Sequence, residues 1–310
     1  MTGILGSGFG LYGYSPAVLL LEGEIALLER AKPKFLNRKE LLQYSSRIKW
    51  FSNLEYFLKS VQTVIISVPP NEQVEILEYC LHYKNIKKLI LEKPIAPDPK
   101  TSIKILMRLI NANMDFRIGY SFLYTNWYEL MKKKIEGNRT NGNIVLNIKW
   151  HFEAHHYKEN LQNWKRSRSE GGGVLRYYGI HIIAILTDLT MNKIMNSKLD
   201  CYSDDDCYKW NFICSDIFGN TGIVEIDTNS MKEEFSINIV NSKNDKDEYF
   251  SFSASSPFES EPYLHFDQRV KPLKMLYSDL ISRSMNETDK DFYEKVNFFW
   301  DEIENKSKFD

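Results

Sequence analysis

The chain is poor in everything that would make it a secreted scaffold, a membrane protein or a nucleic-acid binder. It has four cysteines in 310 residues (Cys80, Cys201, Cys207 and Cys214), with no CxxC pair among them. Such spacing predicts reduced thiols rather than a disulfide framework or a zinc cage. It has no excess of either charge: 40 Lys and Arg against 41 Asp and Glu leave a net −1. That removes the electrostatic case for nucleic acid or an anionic membrane as partner. No apolar run approaches the roughly 20 residues of a membrane span. The run Ala17–Leu21 is too short for a signal peptide and ends at Glu22, so none is expected, and the location expected is cytoplasmic. Internal repeats and low-complexity segments are missing too. What is present, 43% hydrophobic and 26% charged residues, is the composition of a soluble globular protein, long enough for two domains.

The most distinctive stretch is Gly171–His181, where three glycines lead straight into the apolar run Ile182–Leu186. Glycine permits turns and close approaches that a side chain forbids. A helix from Tyr177 to Leu186 would put Tyr177 and His181 four residues apart on one face. The polar loop before the glycines carries His155, His156, Trp164, Lys165 and Arg166. Trp164, Lys165 and Arg166 are candidates to line a pocket for an anionic substrate. His151, His155 and His156 make a poor metal site, because no carboxylate or cysteine stands at ligand spacing; no metal is expected.

The first half alternates strand and helix. Thr2–Leu5 reads as a buried strand, followed by the glycine loop Gly6-Ser7-Gly8-Phe9-Gly10-Leu11 and an apolar helix from about Pro16 to Leu21. Strand, glycine loop and helix together form a site where backbone N–H groups can meet a pyrophosphate. Two registers fit: Gly8–Gly13 matches GxGxxG literally, whereas Gly6, Gly8 and Gly10 sit better against the strand end. A second strand, Glu24–Glu29, ends in an acid about 20 residues past the glycines, where a carboxylate would bond an adenosine ribose. Glu29 favours NAD; Arg30, Lys32, Lys34 and Arg38 follow closely and could reverse the choice to NADP. The β-branched run Val61–Val68 stops at Pro69-Pro70-Asn71, and the buried run Ile86–Leu91 ends in Glu92-Lys93-Pro94. Helices are expected over Asn53–Lys59, Glu72–Leu81 and Asp98–Asn111, and a strand over Phe116–Tyr120. This order predicts a doubly wound parallel sheet over residues 1–120, with a ligand beyond the carboxyl ends of the strands. Lys93, pinned by Pro94, is placed to point its ammonium at such a ligand, and the Lys93–Pro94 bond is a candidate for cis.

After residue 120 the pattern changes. A helix at Asn126–Ile135 precedes an alternating strand at Asn143–Phe152. Strand-like segments at Lys209–Ser215, Gly222–Asp227, Glu234–Val240 and Glu248–Ser253 then follow one another without helices. They predict an open, largely antiparallel sheet over residues 121–310, closed by helices at Met275–Ser284 and Asp289–Glu304. A sheet face left uncovered would suit a dimer or tetramer.

Taken in order, these motifs resemble the Gfo/Idh/MocA family of oxidoreductases: the glycine loop with Pro16-Ala17 after it, the Pro69-Pro70 turn, Glu92-Lys93-Pro94, Trp164-Lys165, and the pattern Gly171–His181. The resemblance covers nearly the whole chain. It implies a Rossmann domain plus an α/β domain with an open sheet, and hydride transfer between NAD or NADP and a hydroxyl or carbonyl carbon. It implies Gly6, Gly8, Phe9, Gly10, Leu11, Glu29, Arg30, Pro69, Asn71, Glu92 and Lys93 around the cofactor. Lys93, Trp164, Lys165, Tyr177 and His181 would surround the substrate, with Lys93 bonding the reacting hydroxyl and His181 as acid/base. A sugar nucleotide of surface-polysaccharide synthesis is the first substrate expectation, a free sugar or cyclic polyol the second, and an imine or tetrapyrrole the third. The sequence departs from the family at two places. Tyr177 stands where an Asp is usual, and Gln73 is nearest to the histidine often found after the proline turn. Tyr177 could relay a proton instead, or mark a protein that binds NAD(P) without catalysis.

Overall fold

The computed structural model describes residues 1–141, 143–241, 244–258 and 266–309. The chain divides into two compact units. Unit 1 comprises residues 1–96, 104–124 and 258–290; unit 2 comprises 97–103, 125–257 and 291–310.

Unit 1 is built on six parallel strands: β1 (Thr2–Leu5), β2 (Ile25–Leu28), β3 (Ile48–Phe51), β4 (Thr63–Ile66), β5 (Lys88–Leu91) and β6 (Asp115–Ile118). Their order in the sheet is β3-β2-β1-β4-β5-β6, the doubly wound arrangement the sequence predicts. Every residue of β1, β2 and β4 is buried, as a sheet covered on both faces requires. The order reverses between β1 and β4, which opens a crevice at their carboxyl ends.

The division between the units departs from a single cut after residue 120. Helix Val270–Ser282, far along the chain, belongs to unit 1. Its Leu273, Leu276, Tyr277 and Leu280 bury themselves with Leu11, Tyr14, Ala17 and Val18 in one core. The apolar face of the helix after the glycine loop needs a cover, and this late helix supplies it.

Among the described residues unit 2 holds seven strands: β7 (Ile144–Glu153), β8 (Lys193–Ser203), β9 (Asp206–Ser215), β10 (Thr221–Asp227), β11 (Asn229–Asn241), β12 (Asn244–Ala254) and β13 (Lys308–Phe309). Their order is β12-β11-β7-β10-β9-β8-β13. The pairs β7–β10 and β8–β13 are parallel and the others antiparallel, so the sheet is mixed but mostly antiparallel. Trp150, Trp210, Phe212, Val224, Ile226, Phe235 and Ile237 are buried along its strands, as is the whole run Ile180–Thr187 of the helix Ile180–Asp188. Gly179 lets this helix lie on the Trp210 ring; a β-carbon there would sit 3.1 Å from two ring carbons.

One sequence expectation is overturned here. Cys201 and Cys207 stand opposite each other across the β8–β9 hairpin and are joined by a disulfide, so only Cys80 and Cys214 are free thiols. Six residues separate the pair in sequence, but the hairpin folds that distance back on itself. Both free thiols are buried, and burial pushes each pKa up to about 12, which makes them packing groups rather than nucleophiles.

Candidate functional site

In unit 1 the predicted cofactor residues all lie just beyond strand ends. Gly6 follows β1 at φ +133°, and a β-carbon there would meet the Ser67 carbonyl oxygen at 2.1 Å. Ser67 follows β4 and donates its N–H to Leu5 O at 2.7 Å. Gly6 is therefore what lets the turn close across the point where strand order reverses. Gly8 is exposed, with nothing within 4 Å of the position its β-carbon would take. Gly10 begins a π-helical turn, Gly10–Tyr14, that continues as the α-helix Ser15–Leu19. Of the two registers, Gly6-Gly8-Gly10 is the one seated on the strand end.

Glu29 follows β2 and is exposed. The four bases after it do different things. Arg30 pairs loosely with Glu72 (3.6 Å) and Lys32 stands 5.9 Å over the Trp50 ring. Arg38 pairs with Glu40 (3.0 Å) and stacks on Tyr12 (4.3 Å). Lys34 alone reaches the glycine loop, donating to Ser7 Oγ at 3.2 Å. Pro69 caps the helix Pro70–His82, so Asn71 lies in its first turn.

Glu92 and Lys93 follow β5, and the Lys93–Pro94 peptide is cis. Tyr14 donates to the Glu92 carboxylate at 2.6 Å. Burial pushes the Glu92 pKa up, against the opposing pull of the Lys93 charge and the Tyr14 hydrogen bond. Burial raises Tyr14 as well, and the neighbouring carboxylate adds to it, so the phenol stays a donor. Tyr14 and Gln73, which bonds the backbone around Lys93, are absent from the sequence expectations as site residues. A phenol inside an apolar run gives no local sign that its partner lies 78 residues away.

In unit 2 the triple glycine turns out to be a seat for its own chain. A β-carbon on Gly172 would lie 2.1 Å from the Trp164 carbonyl oxygen. Gly172 N–H donates to Ser167 O and Gly173 N–H to Lys165 O, both at 2.8 Å. This fastens the loop that carries Trp164 and Lys165 beside Tyr177. The Trp164 ring meets Tyr177 edge-on at 5.2 Å, and the Lys165 ammonium stands 5.6 Å over the same ring. Three of the expected substrate residues thus form one aromatic and cationic cluster. Arg166 is spent elsewhere: its guanidinium binds Asp206 through Nε (2.9 Å) and Nη2. His156 is buried against Tyr157 and Tyr178, and burial, with Lys165 and Arg166 nearby, pushes its pKa down to about 4.

The helix expected to begin at Tyr177 is broken in two. Val174–Gly179 is a π-helical turn, and the α-helix starts at Ile180, so His181 is its second residue and 5% exposed. The fixed four-residue spacing of one α-helix therefore does not relate Tyr177 to His181. Arg176, unremarked in the sequence, anchors this segment. It is buried, makes a two-pronged pair with Glu304 (2.6 Å at each prong), and donates to Pro97 O and Arg168 O. Among the described residues no cluster of three His, Cys, Asp or Glu could hold a metal, and no helix is long and apolar enough to cross a membrane.

No protein-family model matches the chain, and no curated protein matches it. Solved structures do. KijD10, a 3-ketoreductase from Actinomadura kijaniata solved with NADP and TDP-benzene, aligns with a TM-score of 0.71 at 12% identity, over 99% of this chain and 98% of its own. GenD2 from gentamicin A biosynthesis, solved with NAD, aligns at 0.72 and 13% identity, over 97% and 92%. The dehydrogenase MviM from Clostridium difficile aligns at 0.72 and 14%, over 98% of both chains. Over its whole length the chain has the fold of these proteins.

Proposed function

We propose that this chain is an NAD(P)-dependent oxidoreductase of the Gfo/Idh/MocA type, acting on a hydroxyl-bearing or carbonyl carbon of a sugar. The observation that carries the proposal is the glycine turn at the reversal point of a six-stranded parallel sheet: Gly6 closed on Ser67, Gly8 open. Such a turn fits a dinucleotide, whose pyrophosphate needs backbone approach without side chains. Gly6, Gly8, Phe9, Gly10 and Leu11 would hold it, with Glu29 at the adenosine ribose and Pro69, Asn71 and Glu92 along the strand ends. Lys34 at Ser7 would add a positive charge beside that turn.

When bound, the nicotinamide supplies or accepts the hydride. The chain's part is proton and charge. Neutral His181 takes the hydroxyl proton in the oxidative direction and returns it in the reductive one. Cationic Lys93 stabilises the negative charge that develops on the oxygen. Trp164 and Tyr177 offer ring faces to a sugar, and Lys165 offers the charge for a phosphate. Arg166, bound to Asp206, is left out of that role. KijD10 with its TDP ligand supports a sugar nucleotide as the substrate, and surface-polysaccharide synthesis would use one.

The deciding experiment is titration with NADH and, separately, NADPH, followed by nicotinamide fluorescence. Saturation by one of them supports the reading and ranks Glu29 against the bases around it. Binding of neither to folded protein free of retained cofactor ends it. Saturation without turnover on any sugar nucleotide, sugar or polyol would favour a non-catalytic NAD(P) sensor, the reading that Tyr177 in place of Asp supports. A dimer or tetramer and a cytoplasmic location go with the proposal. Light scattering tests the first, and fractionation of cells followed by immunodetection tests the second.

A further inference from the structure

We infer that Gln73 is a positioning residue for Lys93: its carboxamide clamps the backbone on both sides of that lysine. The inference rests on the role proposed for Lys93 but is carried by separate geometry. Gln73 lies on the first turn of the helix Pro70–His82 and is 1% exposed. Its Nε2 donates to Glu92 O at 2.7 Å and to Pro94 O at 3.2 Å. Its Oε1 accepts from Glu92 N–H at 2.9 Å, a donor shared with Ile66 O at 3.0 Å. One side chain therefore bridges the residue before Lys93 and the residue after it.

A carboxamide suits this place chemically. Only Asn and Gln carry an N–H donor pair and a carbonyl acceptor on one neutral group, and both ends are used here. Glu92 is fixed a second time, through its side chain, by the Tyr14 hydroxyl (2.6 Å). Gly119 keeps that pair in place, since a β-carbon there would lie 2.8 Å from Glu92 Oε1 and 3.0 Å from Tyr14 Oη. The strand pairing of β5 ends at Leu91, and the next residue, Glu92, still donates its N–H to Ile66 O. Around Lys93, Gln73 adds bonds of its own, to Glu92 on one side and Pro94 on the other. Truncating it leaves half-buried Glu92 O and buried Pro94 O without these bonds and loosens the backbone on both sides of Lys93. An ammonium that must meet a developing charge works only if it is already in place.

The test follows Lys93 itself and needs no substrate. Reductive ¹³C-methylation labels the lysines of the intact protein, and the Lys93 resonance is the one lost in Lys93→Arg. In wild type it should stand apart from solvated lysines and move on addition of NADH. In Gln73→Ala it should shift to the solvated position and lose most of its NADH response. Gln73→His, which keeps a donor and an acceptor nitrogen, should restore part of both. An unchanged Lys93 resonance and NADH response in folded Gln73→Ala overturns the inference. If Gln73→Ala does not fold, Gln73→Glu, which removes the donors and keeps the acceptor, is read the same way. Failure of the nicotinamide proposal looks different: NADH would leave wild type unperturbed while Gln73→Ala still moved the Lys93 resonance.

Discussion

The turn at Gly6–Gly10 leads into a π-helical turn and then an α-helix, and so does the turn at Gly171–Gly173. The similarity ends with what each glycine faces. Gly6 presses on the backbone of a neighbouring strand end while Gly8 faces nothing. Gly172 presses on the backbone of the loop eight residues before it. The first turn is closed below and open above, the shape of a ligand seat. The second is filled by its own chain, and its product is the placement of Trp164 and Lys165. Glycine richness alone does not distinguish a binding turn from a packing turn; the neighbour that a β-carbon would strike does.

The sharpest way to break this contrast is Gly172→Ala. Its β-carbon must displace the Trp164 carbonyl, so we expect a loss of about 3 kcal/mol in urea unfolding. A variant of normal stability would show that the loop gives way freely. Next is His181→Ala, which should leave NADH affinity nearly intact and cut turnover roughly 100-fold or more. Unchanged turnover on the substrate would confine the second turn to packing alone.

Gly8→Ala is the converse of Gly172→Ala. Stability should stay within about 0.5 kcal/mol, because the added carbon meets nothing. NADH affinity should fall roughly 10-fold, about the worth of one charge-assisted hydrogen bond to a phosphate. Wild-type affinity in Gly8→Ala would remove the pyrophosphate from that turn.

The smallest effect concerns His156, beside the second turn. Its folded pKa of about 4 lies below the ordinary 6.5, so between these values the unfolded chain binds the extra proton. Its contribution to stability is complete above about pH 6.5 and is lost as the pH falls towards 4. Urea midpoints measured between pH 7 and pH 4 should decline less steeply in His156→Gln than in wild type. Parallel curves would mean the imidazole is not held neutral.

The sequence by itself determined the alternation of short β-branched runs with helices, and hence the parallel sheet, because a strand buried on both faces must be apolar throughout. It also determined that Gly6, Glu29, Pro69 and Lys93 fall at strand ends, since chain order alone places loops after strands. Ile48–Phe51 and Lys193–Ser203 were not legible as strands. The first is four residues long with Lys49 among apolar ones, the second mixes charged and polar residues with apolar ones, and each joins its sheet through the neighbour it pairs with. Only the tertiary structure decided that helix Val270–Ser282 completes the unit of the first strands, that Cys201 meets Cys207, that Arg166 is held by Asp206, and that Gln73 and Tyr14 brace the residues around Lys93. Those facts depend on which distant groups come within hydrogen-bonding or van der Waals range, and spacing along a chain carries no record of that distance.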